Sequence, residues 1–393
     1  MRRSAPILLL GSLMASAQTW TQLPDFPGSA RDDASAFVIG TDIYVGTGMD
    51  VGFQNTSDWY RFNTLDETWT PIASSPGNGR QYASALTFNG MGHLLGGYSQ
   101  GVPSSEVYLY DPAGDQWSAG PPLPEAVYAS TAFTIDGKGY LVSGLLSNFL
   151  PSGLLWIHDP SLETWSSGAP IDGVFMSRAA SFAHNGKGYV VGGMPVTSGA
   201  LDGVWRYEPS SDEWTEVAPL PAPRNASDAV GVPDGGIVIG GQSPDQGLAY
   251  DNVWHYVAAL DTWVDLTPFP AIGRRGAVIA FVPPNRVYYG TGSDNSERHD
   301  DWWKLEFPVS IPTMDAPEFT MSPVPADAAL EVSSSVDHWT NWQVWSIDSR
   351  LVAQGPLVSG SVTITMAPLP AGAYMLRLVG IHGSAAKRFT VAH

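Results

Sequence analysis

Apolar residues recur along most of the chain in short runs that either alternate with polar residues or are continuously apolar over five or six positions. Residues 34–39 and 43–45, and again residues 237–239, show this pattern. Runs of this length predict β-strands. In most units a turn pair of Asn or Asp followed by Gly separates the first two strands, and such pairs accept the positive φ of a type I′ hairpin. The pairs are Asn89-Gly90, Asp136-Gly137, Asn185-Gly186 and Asp234-Gly235.

Tryptophan marks a repeat in this strand pattern. Six tryptophans follow one another at intervals of 48 or 49 residues: Trp20, Trp69, Trp117, Trp165, Trp214 and Trp263. A ring side chain precedes each of the last five by seven residues: Phe62, Tyr110, His158, Tyr207 and Tyr256. A glycine pair or its remnant lies about twenty residues before each Trp, as at Gly96-Gly97. Each unit is therefore predicted to be a four-stranded antiparallel meander whose periodic Trp and aromatic rings belong to the core.

This order of glycine pair, aromatic residue and Trp resembles the kelch repeat, and the resemblance covers residues 18 to about 307. It implies an all-β propeller with one repeat in each blade. The sixth unit lacks its fourth strand, since Leu305 stands at the aromatic position and no Trp follows seven residues later. Trp20, in contrast, lies on a surplus fourth strand. The N-terminal strand is therefore expected to complete the last blade and to give a closed ring of six blades.

Composition excludes several classes of function. The chain has 393 residues and a net charge of −19, which argues against a nucleic-acid partner. It has no Cys, so disulfides, thiolate metal sites and the Cys–Tyr cofactor of the kelch-bearing copper-radical galactose oxidases are excluded. The eight His are scattered, and the acidic stretch 294–301 lacks the spacing of an established calcium loop. No cofactor and no metal site are expected.

Both ends of the chain carry targeting patterns. Arg2 and Arg3 precede an apolar stretch that ends in Ala15-Ser16-Ala17, so residues 1–17 are predicted to be a signal peptide. No later segment approaches the roughly 20 apolar residues of a transmembrane helix, and none is expected in the mature chain. Prolines then break up residues 308–322, which are predicted to be a linker. Short strands resume in residues 323–393 and predict a small Ig-like β-sandwich.

The C-terminal residues 323–393 carry a second resemblance. The segments 322–332, 369–376 and 387–391 look like parts of the type IX secretion (Por) C-terminal sorting domain of the Bacteroidetes. Membership would imply recognition by outer-membrane secretion machinery and transport across the outer membrane. The protein would then be extracellular or anchored at the cell surface. One departure is Asp348-Ser349-Arg350, because the family usually has an Asp followed two or three residues later by Gly.

The candidate binding surface is the propeller face formed by the long loops between second and third strands and by the blade-to-blade loops. Five of the arginines begin first strands and are expected to ring the channel mouth, where they would bind carboxylate, sulfate or phosphate groups. These are Arg31, Arg80, Arg178, Arg224 and Arg274, with Tyr128 at the equivalent place in the third unit. The alternative is that they pair structurally with carboxylates or carbonyls of a neighbouring blade.

Aromatic residues in the same loops are candidates for stacking on sugars or on side chains of a protein partner. They are Phe53, Tyr98, Phe149 and Tyr250. The favoured function is a secreted or cell-surface binding protein that recognises a glycan or protein ligand.

The alternative is an enzyme resembling the exported six-bladed kelch mutarotases of sialic acid. In such an enzyme, arginines hold the sugar carboxylate and an acid–base group assists ring opening. Catalysis would require Asp, Glu or His within hydrogen-bond reach of the arginines. The candidates near the strand starts are Asp32, Asp33, Asp228 and Glu125.

Overall fold

The computed structural model describes residues 18–307, except 198 and 246, and residues 319–392 with gaps at 325, 327, 335–338, 347–350, 358–359 and 381–382. Every regular element in these ranges is a β-strand, and none of the described residues forms a helix that could cross a membrane. The chain divides into two compact units, Met1–Val309 and Ser310–His393. The predicted signal peptide, most of the predicted linker (308–318) and Asp348-Ser349-Arg350 lie outside the described residues.

Six four-stranded antiparallel sheets make up the described part of the first unit, and they are numbered here in chain order. Sheet 1 comprises Ser35–Ile39, Asp42–Gly46, Trp59–Asn63 and Thr68–Ile72; sheet 2 Ser84–Phe88, Met91–Leu95, Val107–Asp111 and Gln116–Ala119; sheet 3 Thr131–Ile135, Lys138–Val142, Leu155–Asp159 and Thr164–Gly168. Sheet 4 comprises Ala180–His184, Lys187–Val191, Val204–Glu208 and Glu213–Glu216; sheet 5 Asp228–Val232, Gly235–Ile239, Val253–Val257 and Thr262–Asp265; sheet 6 Val278–Val282, Arg286–Gly290, Trp302–Glu306 and Thr19–Leu23. First strands of adjacent sheets lie against one another all the way round, including those of sheets 6 and 1.

Short two-stranded ribbons project from four of the sheets on the side of the long loops. Their strands are Arg31–Asp32 with Met49–Asp50, Tyr98–Ser99 with Val102–Pro103, Val127–Tyr128 with Leu145–Leu146, and Met176–Ser177 with Met194–Pro195. In three of them the start of the long loop pairs with the segment that precedes the first strand, and in sheet 2 the ribbon is a hairpin within the loop, so hydrogen bonds fix where these loops begin.

The N-terminal strand completes sheet 6, which confirms the predicted pairing. Thr19–Leu23 runs antiparallel to Trp302–Glu306, with Trp20 opposite Leu305 and Leu23 opposite Trp302. The indole of Trp20 also donates to the carbonyl of Thr267 in the loop that follows sheet 5, over 3.1 Å. The first and last strands of the unit therefore share one sheet, and no outer strand of sheet 6 is left unpaired.

The six repeated tryptophans link neighbouring sheets. Each lies on a fourth strand and donates its indole N–H to a backbone carbonyl in the loop that follows the preceding sheet. Trp117 bonds the carbonyl of Ala73, and Trp214 that of Ala169, both over 2.8 Å. All six are half-buried, whereas the aromatic residues seven positions earlier are buried. The prediction that the tryptophans are core residues is therefore only partly correct, since each of these residues is only partly buried.

The tight turns follow the prediction in three sheets and differ in a fourth. Asn89 and Gly90 have φ values of 52° and 73°, as a type I′ turn requires, and the pairs at 136–137 and 185–186 are alike. In sheet 5, however, Val232 pairs with Gly235, so the turn residues are Pro233 and Asp234. The turn lies one residue earlier than predicted, because proline fixes a negative φ at the first turn position.

The second unit contains two antiparallel sheets among its described residues. One comprises Phe319–Ser322, Ala329–Ser334 and Ser361–Thr365, and the other Leu351–Pro356, Trp339–Ser346, Gly372–Gly380 and Gly383–Val391. Buried side chains of both sheets, among them Leu330, Val344 and Leu376, form a single hydrophobic cluster. The unit therefore has its own core.

Candidate functional site

A closed ring of backbone hydrogen bonds surrounds the central channel at the loop face. One residue just before each first strand donates its N–H to the carbonyl of its counterpart in the preceding sheet, over 2.8 to 3.1 Å. All six residues lie in the left-handed region, with φ between 51° and 56°. We call this set the axial ring: Asp33, Tyr82, Ala129, Arg178, Ala226 and Gly276. The ring fixes six equivalent positions at the channel mouth.

Three members of the axial ring carry charged or polar side chains, and together they line one cavity. Asp33, Tyr82 and Arg178 face a space of ≈ 120 Å³ that Asp228 and Ser227 also line. Deeper in the channel a second cavity of ≈ 210 Å³ is lined mainly by Ala and Ser. The channel mouth is thus the place where charged and polar groups converge on a concave surface, as expected of a small-molecule site.

Arg178, Tyr82 and Asp33 lie together as one network of polar groups. An Nη2 hydrogen of Arg178 is donated to the Tyr82 hydroxyl over 2.9 Å, and the guanidinium carbon lies 5.0 Å from the centre of the Tyr82 ring. The Tyr82 hydroxyl and the Asp33 carboxyl lie close enough that each shifts the pKa of the other. The Nη1 of Arg275 approaches the other side of Asp33, at 3.8 Å from Oδ2. The three groups therefore present a cation, a hydroxyl and a carboxyl side by side.

Burial shifts the protonation of both carboxyl groups in the channel. It raises the pKa of Asp33 to about 6; the Asp32 carboxylate adds to this rise, and Arg178 and Arg275 oppose it. Burial also raises the pKa of Asp228 well above its usual range, and Asp33 adds to that rise. The Oδ2 atom of Asp228 has no hydrogen-bond partner in the described part of the chain. Asp33 is therefore placed to exchange a proton near neutral pH.

A patch of aromatic rings adjoins this network on sheets 2 and 3. The rings of Tyr98 and Tyr128 have centres 4.9 Å apart, and that of Phe149 lies 6.4 Å from Tyr128 and 6.5 Å from Tyr98. Tyr128 also contacts Tyr82 of the axial ring, at 6.1 Å between centres. We call Tyr98, Tyr128 and Phe149 the aromatic strip. It leads from the channel mouth out to a loop tip.

The other four predicted arginines do not face solvent. Their exposures are 0% or 1%, and each donates Nη1 to a backbone carbonyl of its own sheet over 2.7 to 3.0 Å: Arg31 to Thr47, Arg80 to Gly96, Arg224 to Gly240 and Arg274 to Thr291. Each also hydrogen-bonds a polar side chain of its own repeat. The partners of Arg31, Arg80, Arg224 and Arg274 are Asp58, Glu106, Asn252 and Asp301, in that order. The expectation that these guanidinium groups are exposed at the channel mouth is wrong, and the geometry favours structural pairing within one unit.

The repeat register explains why the spacing of the arginines predicted the wrong position for Arg178. Arg31, Arg80, Arg224 and Arg274 occupy one position, which is two residues before the axial ring and holds Val127 and Met176 in the other two units. Arg178 is instead a member of the axial ring, and Tyr128 lies one residue after the arginine position. The spacing of 46 residues from Arg178 to Arg224, short of the 48 or 49 between tryptophans, was the available signal. Tyr82 was not predicted, because nothing in the sequence marks it.

The remaining candidates are spread over different surroundings. Phe53 is 73% exposed beneath the guanidinium of Arg298, and half-buried Tyr250 packs against Arg224. Asp32 is buried between Arg275 and Arg298, with contacts of 3.2 and 2.6 Å, and Glu125 is exposed. Asp294 caps its own loop by accepting from Ser296 and Glu297, and the described residues contain no group of three or more potential metal ligands. The structure therefore unites Arg178, Tyr128, Tyr98 and Phe149 at one place and separates the rest.

Comparisons with known proteins agree with this fold. A model of the kelch motif matches residues 94–124 and 176–221. Human Kelch-like protein 35 is 30% identical over 128 residues, which are 33% of this chain and 21% of that protein. Human Kelch-like protein 23 is 26% identical over 125 residues, 32% of this chain and 22% of that protein. The matched segment is thus about a fifth of these curated relatives.

A solved structure, titled "Structure of YjhT", superposes with a TM-score of 0.62 at 18% sequence identity. The match covers 71% of this chain and 95% of that one. At this identity the likeness shows the fold alone. Sheets, motifs and superposition together define the first unit as a kelch-repeat β-propeller.

Proposed function

We propose that the first unit is a six-bladed kelch propeller that binds the acidic end of a carbohydrate at its channel mouth. The observation that carries this proposal is the network of Arg178, Tyr82 and Asp33 on the axial ring. Hydroxyl, carboxyl and guanidinium groups on a concave surface match the donors and acceptors of a sugar that bears a carboxylate. The half-buried rings beside them supply apolar surface for the sugar faces.

Arg178 is the arginine best suited to an anionic ligand. It donates a side-chain hydrogen bond to a neutral phenol rather than to a carboxylate. The four buried arginines, in contrast, already donate to carbonyls and to polar side chains of their own units. In a chain of net charge −19, one available guanidinium beside polar groups is a local attraction for anions.

The test compares Arg178→Ala with Arg224→Met, a matched change at a buried arginine. Calorimetric titration with D-glucuronate, and with D-glucose as the neutral partner, measures the affinity. Loss of one charge-assisted contact is worth about 1.5 to 3 kcal/mol, so Arg178→Ala should bind glucuronate roughly ten-fold to a hundred-fold more weakly at an unchanged melting temperature. Arg224→Met should melt earlier and bind normally. Equal glucuronate affinity in wild type and Arg178→Ala would remove the basis of the proposal.

A second candidate function is a mutarotase or epimerase of an acidic sugar. It is favoured by Asp33, whose pKa of about 6 and position beside Tyr82 suit proton transfer to and from a ring hydroxyl. Its test is the rate at which the anomers of glucuronate interconvert, followed by NMR exchange. An enzyme should accelerate the exchange, and Asp33→Asn should abolish the acceleration while leaving binding. If the wild-type protein gives only the spontaneous rate, the mutarotase or epimerase function is refuted and the binding function remains.

The cellular location of the protein is a separate proposal. We propose that residues 1–17 direct export and that the second unit is an Ig-like sorting domain of the type IX secretion pathway, which would place the propeller outside the outer membrane. Support comes from the sequence segments that resemble the Por domain and from the two sheets that share one hydrophobic cluster. On this proposal the partners are an extracellular glycan and the secretion machinery.

A further inference from the structure

Phe149 has a backbone conformation that is unfavourable for a bulky residue. It lies at the tip of the long loop of sheet 3 with φ 61°, in the left-handed region that bulky residues avoid, and its ring is 53% exposed. The loop is a tight hairpin in which the Phe149 N–H donates to Leu146 and the Leu146 N–H donates to Leu150, over 2.8 and 3.1 Å. Glycine would fit this position without strain. The local backbone therefore gives no reason for a phenylalanine here.

The ring of Phe149 continues a row of aromatic surfaces that starts at the channel mouth. Centre-to-centre distances of 6.1 Å from Tyr82 to Tyr128 and 6.4 Å from Tyr128 to Phe149 leave the row without a gap. Tyr98 packs beside Tyr128 at 4.9 Å and supports it. The strip has no charged member, whereas the channel mouth at its inner end holds Arg178 and Asp33.

We infer that the aromatic strip is a second subsite, which binds the uncharged sugar ring next to the acidic residue held at the channel mouth. The ligand class is therefore an oligosaccharide that ends in an acidic sugar. This inference rests on the proposed binding of an acidic sugar by Arg178. A pyranose has an apolar face and hydroxyl edges, and Tyr rings match both because each has an apolar face and a polar tip.

The arrangement favours a saccharide over a protein partner. The charged groups are recessed in a cavity of ≈ 120 Å³, and the strip is a compact group of three rings whose centres lie 4.9 to 6.5 Å apart. A stable protein interface needs roughly 800 Å² on each partner and a desolvated centre. A patch of three rings beside a small polar cavity instead fits a short chain of sugar rings, whose terminal residue enters the cavity.

Phe53 provides a matched control in the long loop of sheet 1. It has φ 57°, and its N–H donates to Asp50 while the Asp50 N–H donates to Gln54, both over 3.0 Å, so the two loops are built alike. Phe53 is also exposed, but Arg298 covers its ring at 4.7 Å and it is no part of the strip. Truncation of either ring therefore removes a similar side chain from a similar loop.

The experiment titrates the full chain with glucuronate and with a disaccharide in which glucuronate is linked to glucose. Wild type and Phe53→Ala should bind the disaccharide at least ten-fold more tightly than glucuronate. Phe149→Ala should reduce this ratio to about one without changing the affinity for glucuronate. Phe149→Gly should behave in the same way at a melting temperature no lower than that of wild type, which a purely structural ring would not allow.

The outcomes separate this inference from the proposed function. If glucuronate binds through Arg178 but the disaccharide binds no better, or if Phe53→Ala and Phe149→Ala lose the same amount, the second subsite is refuted and the acidic site stands. A strip that serves a protein partner gives this same pattern of unchanged saccharide affinities. If neither saccharide binds, the acidic site and the subsite both fail.

Discussion

Four arginines buried at one repeat position show how a charge is accommodated inside this fold. Arg31, Arg80 and Arg274 each pair with a carboxylate of their own unit, whereas Arg224 pairs with the neutral amide of Asn252, over 2.9 Å. Burial lowers the pKa of Arg224 to about 9, and the ring of Trp254 covers the guanidinium at 3.5 Å. The group is still charged at neutral pH, and it is the least compensated of the four.

We therefore expect Asn252→Asp to stabilise the propeller. The new carboxylate would convert the hydrogen bond from Arg224 to a neutral amide into a bond between opposite charges, which is worth about 1 kcal/mol more. Chemical denaturation at pH 7 measures the change in the free energy of unfolding. Asp58→Asn, which makes the opposite change beside Arg31, should be destabilising. A destabilised Asn252→Asp variant would show that the cation–π contacts already compensate Arg224.

Asp33 makes stability depend on pH in a direction opposite to that of most carboxyl groups. Its pKa in the folded protein is about 6, above the value of 3.8 for an unperturbed Asp, so folding favours the protonated form. The stability that this group contributes is complete below about pH 4 and is lost as the pH rises through about 6. At neutral pH the loss is about 3 kcal/mol.

Asp33→Asn should remove this dependence, because the amide stays neutral. Relative to wild type, the variant should gain about 3 kcal/mol in the free energy of unfolding between pH 4 and pH 7.5. Asp32→Asn serves as the control, since it leaves Arg275 and Arg298 without their shared carboxylate and should destabilise at pH 7.5. A difference between Asp33→Asn and wild type that is independent of pH would contradict the shift.

The sequence placed the candidate aromatic residues on one face of the propeller but did not predict the network of Arg178 and Tyr82. Phe149, Tyr98 and Tyr128 could be placed near one another because their loops lie at one end of a meander. The contact between Arg178 and Tyr82 joins residues 96 positions apart, and it exists because the ring closes. Repeats of slightly different length hide the register within loops, so counting from one arginine to the next assigned Arg178 to the wrong position.

At the scale of elements, strand pairing was more predictable than turn geometry. The alternation of apolar residues and the fixed distance to each Trp determine which strands are neighbours, and the surplus strand at Trp20 required a partner in the last unit. The turn in sheet 5 differs because Pro233 precedes Asp234 and cannot adopt a positive φ. The proline therefore prevents the type I′ turn that the Asp234-Gly235 pair predicts.

Closure by the first strand predicts that a short N-terminal truncation is severe. A chain that begins at Pro27 lacks Thr19–Leu23 and Phe26, and so exposes the outer edge of sheet 6. Leu23 and Phe26 are 6% and 1% exposed, and the loss of their burial alone costs about 3 kcal/mol or more. Thermal melting should show a large decrease relative to a chain that begins at Gln18. If the two chains melt alike, the first strand does not close the ring.

At the scale of the molecule, the two units differ in how much their sequences reveal. Six repeats of one pattern determine an architecture, because each sheet must bury its faces against the next. The N-terminal strand then supplies the fourth strand that the last sheet lacks. The second unit has no internal repeat, and its strands were predicted from alternation alone. Its own hydrophobic cluster, which includes Leu330 and Leu376, nevertheless gives it a core of its own.

Deletion of residues 323–393 should therefore change the cellular location of the protein without unfolding the propeller. We expect the truncated chain to keep the melting temperature and glucuronate affinity of the propeller, because none of the residues of the axial ring or the aromatic strip is removed. Fractionation of the native host should find it retained in the periplasm, whereas the full chain reaches the surface or the medium. A chain without residues 1–17 is the control and should stay in the cytoplasm. A truncated propeller that still appears outside the cell would refute the sorting role of the second unit, and the carbohydrate site would be unaffected.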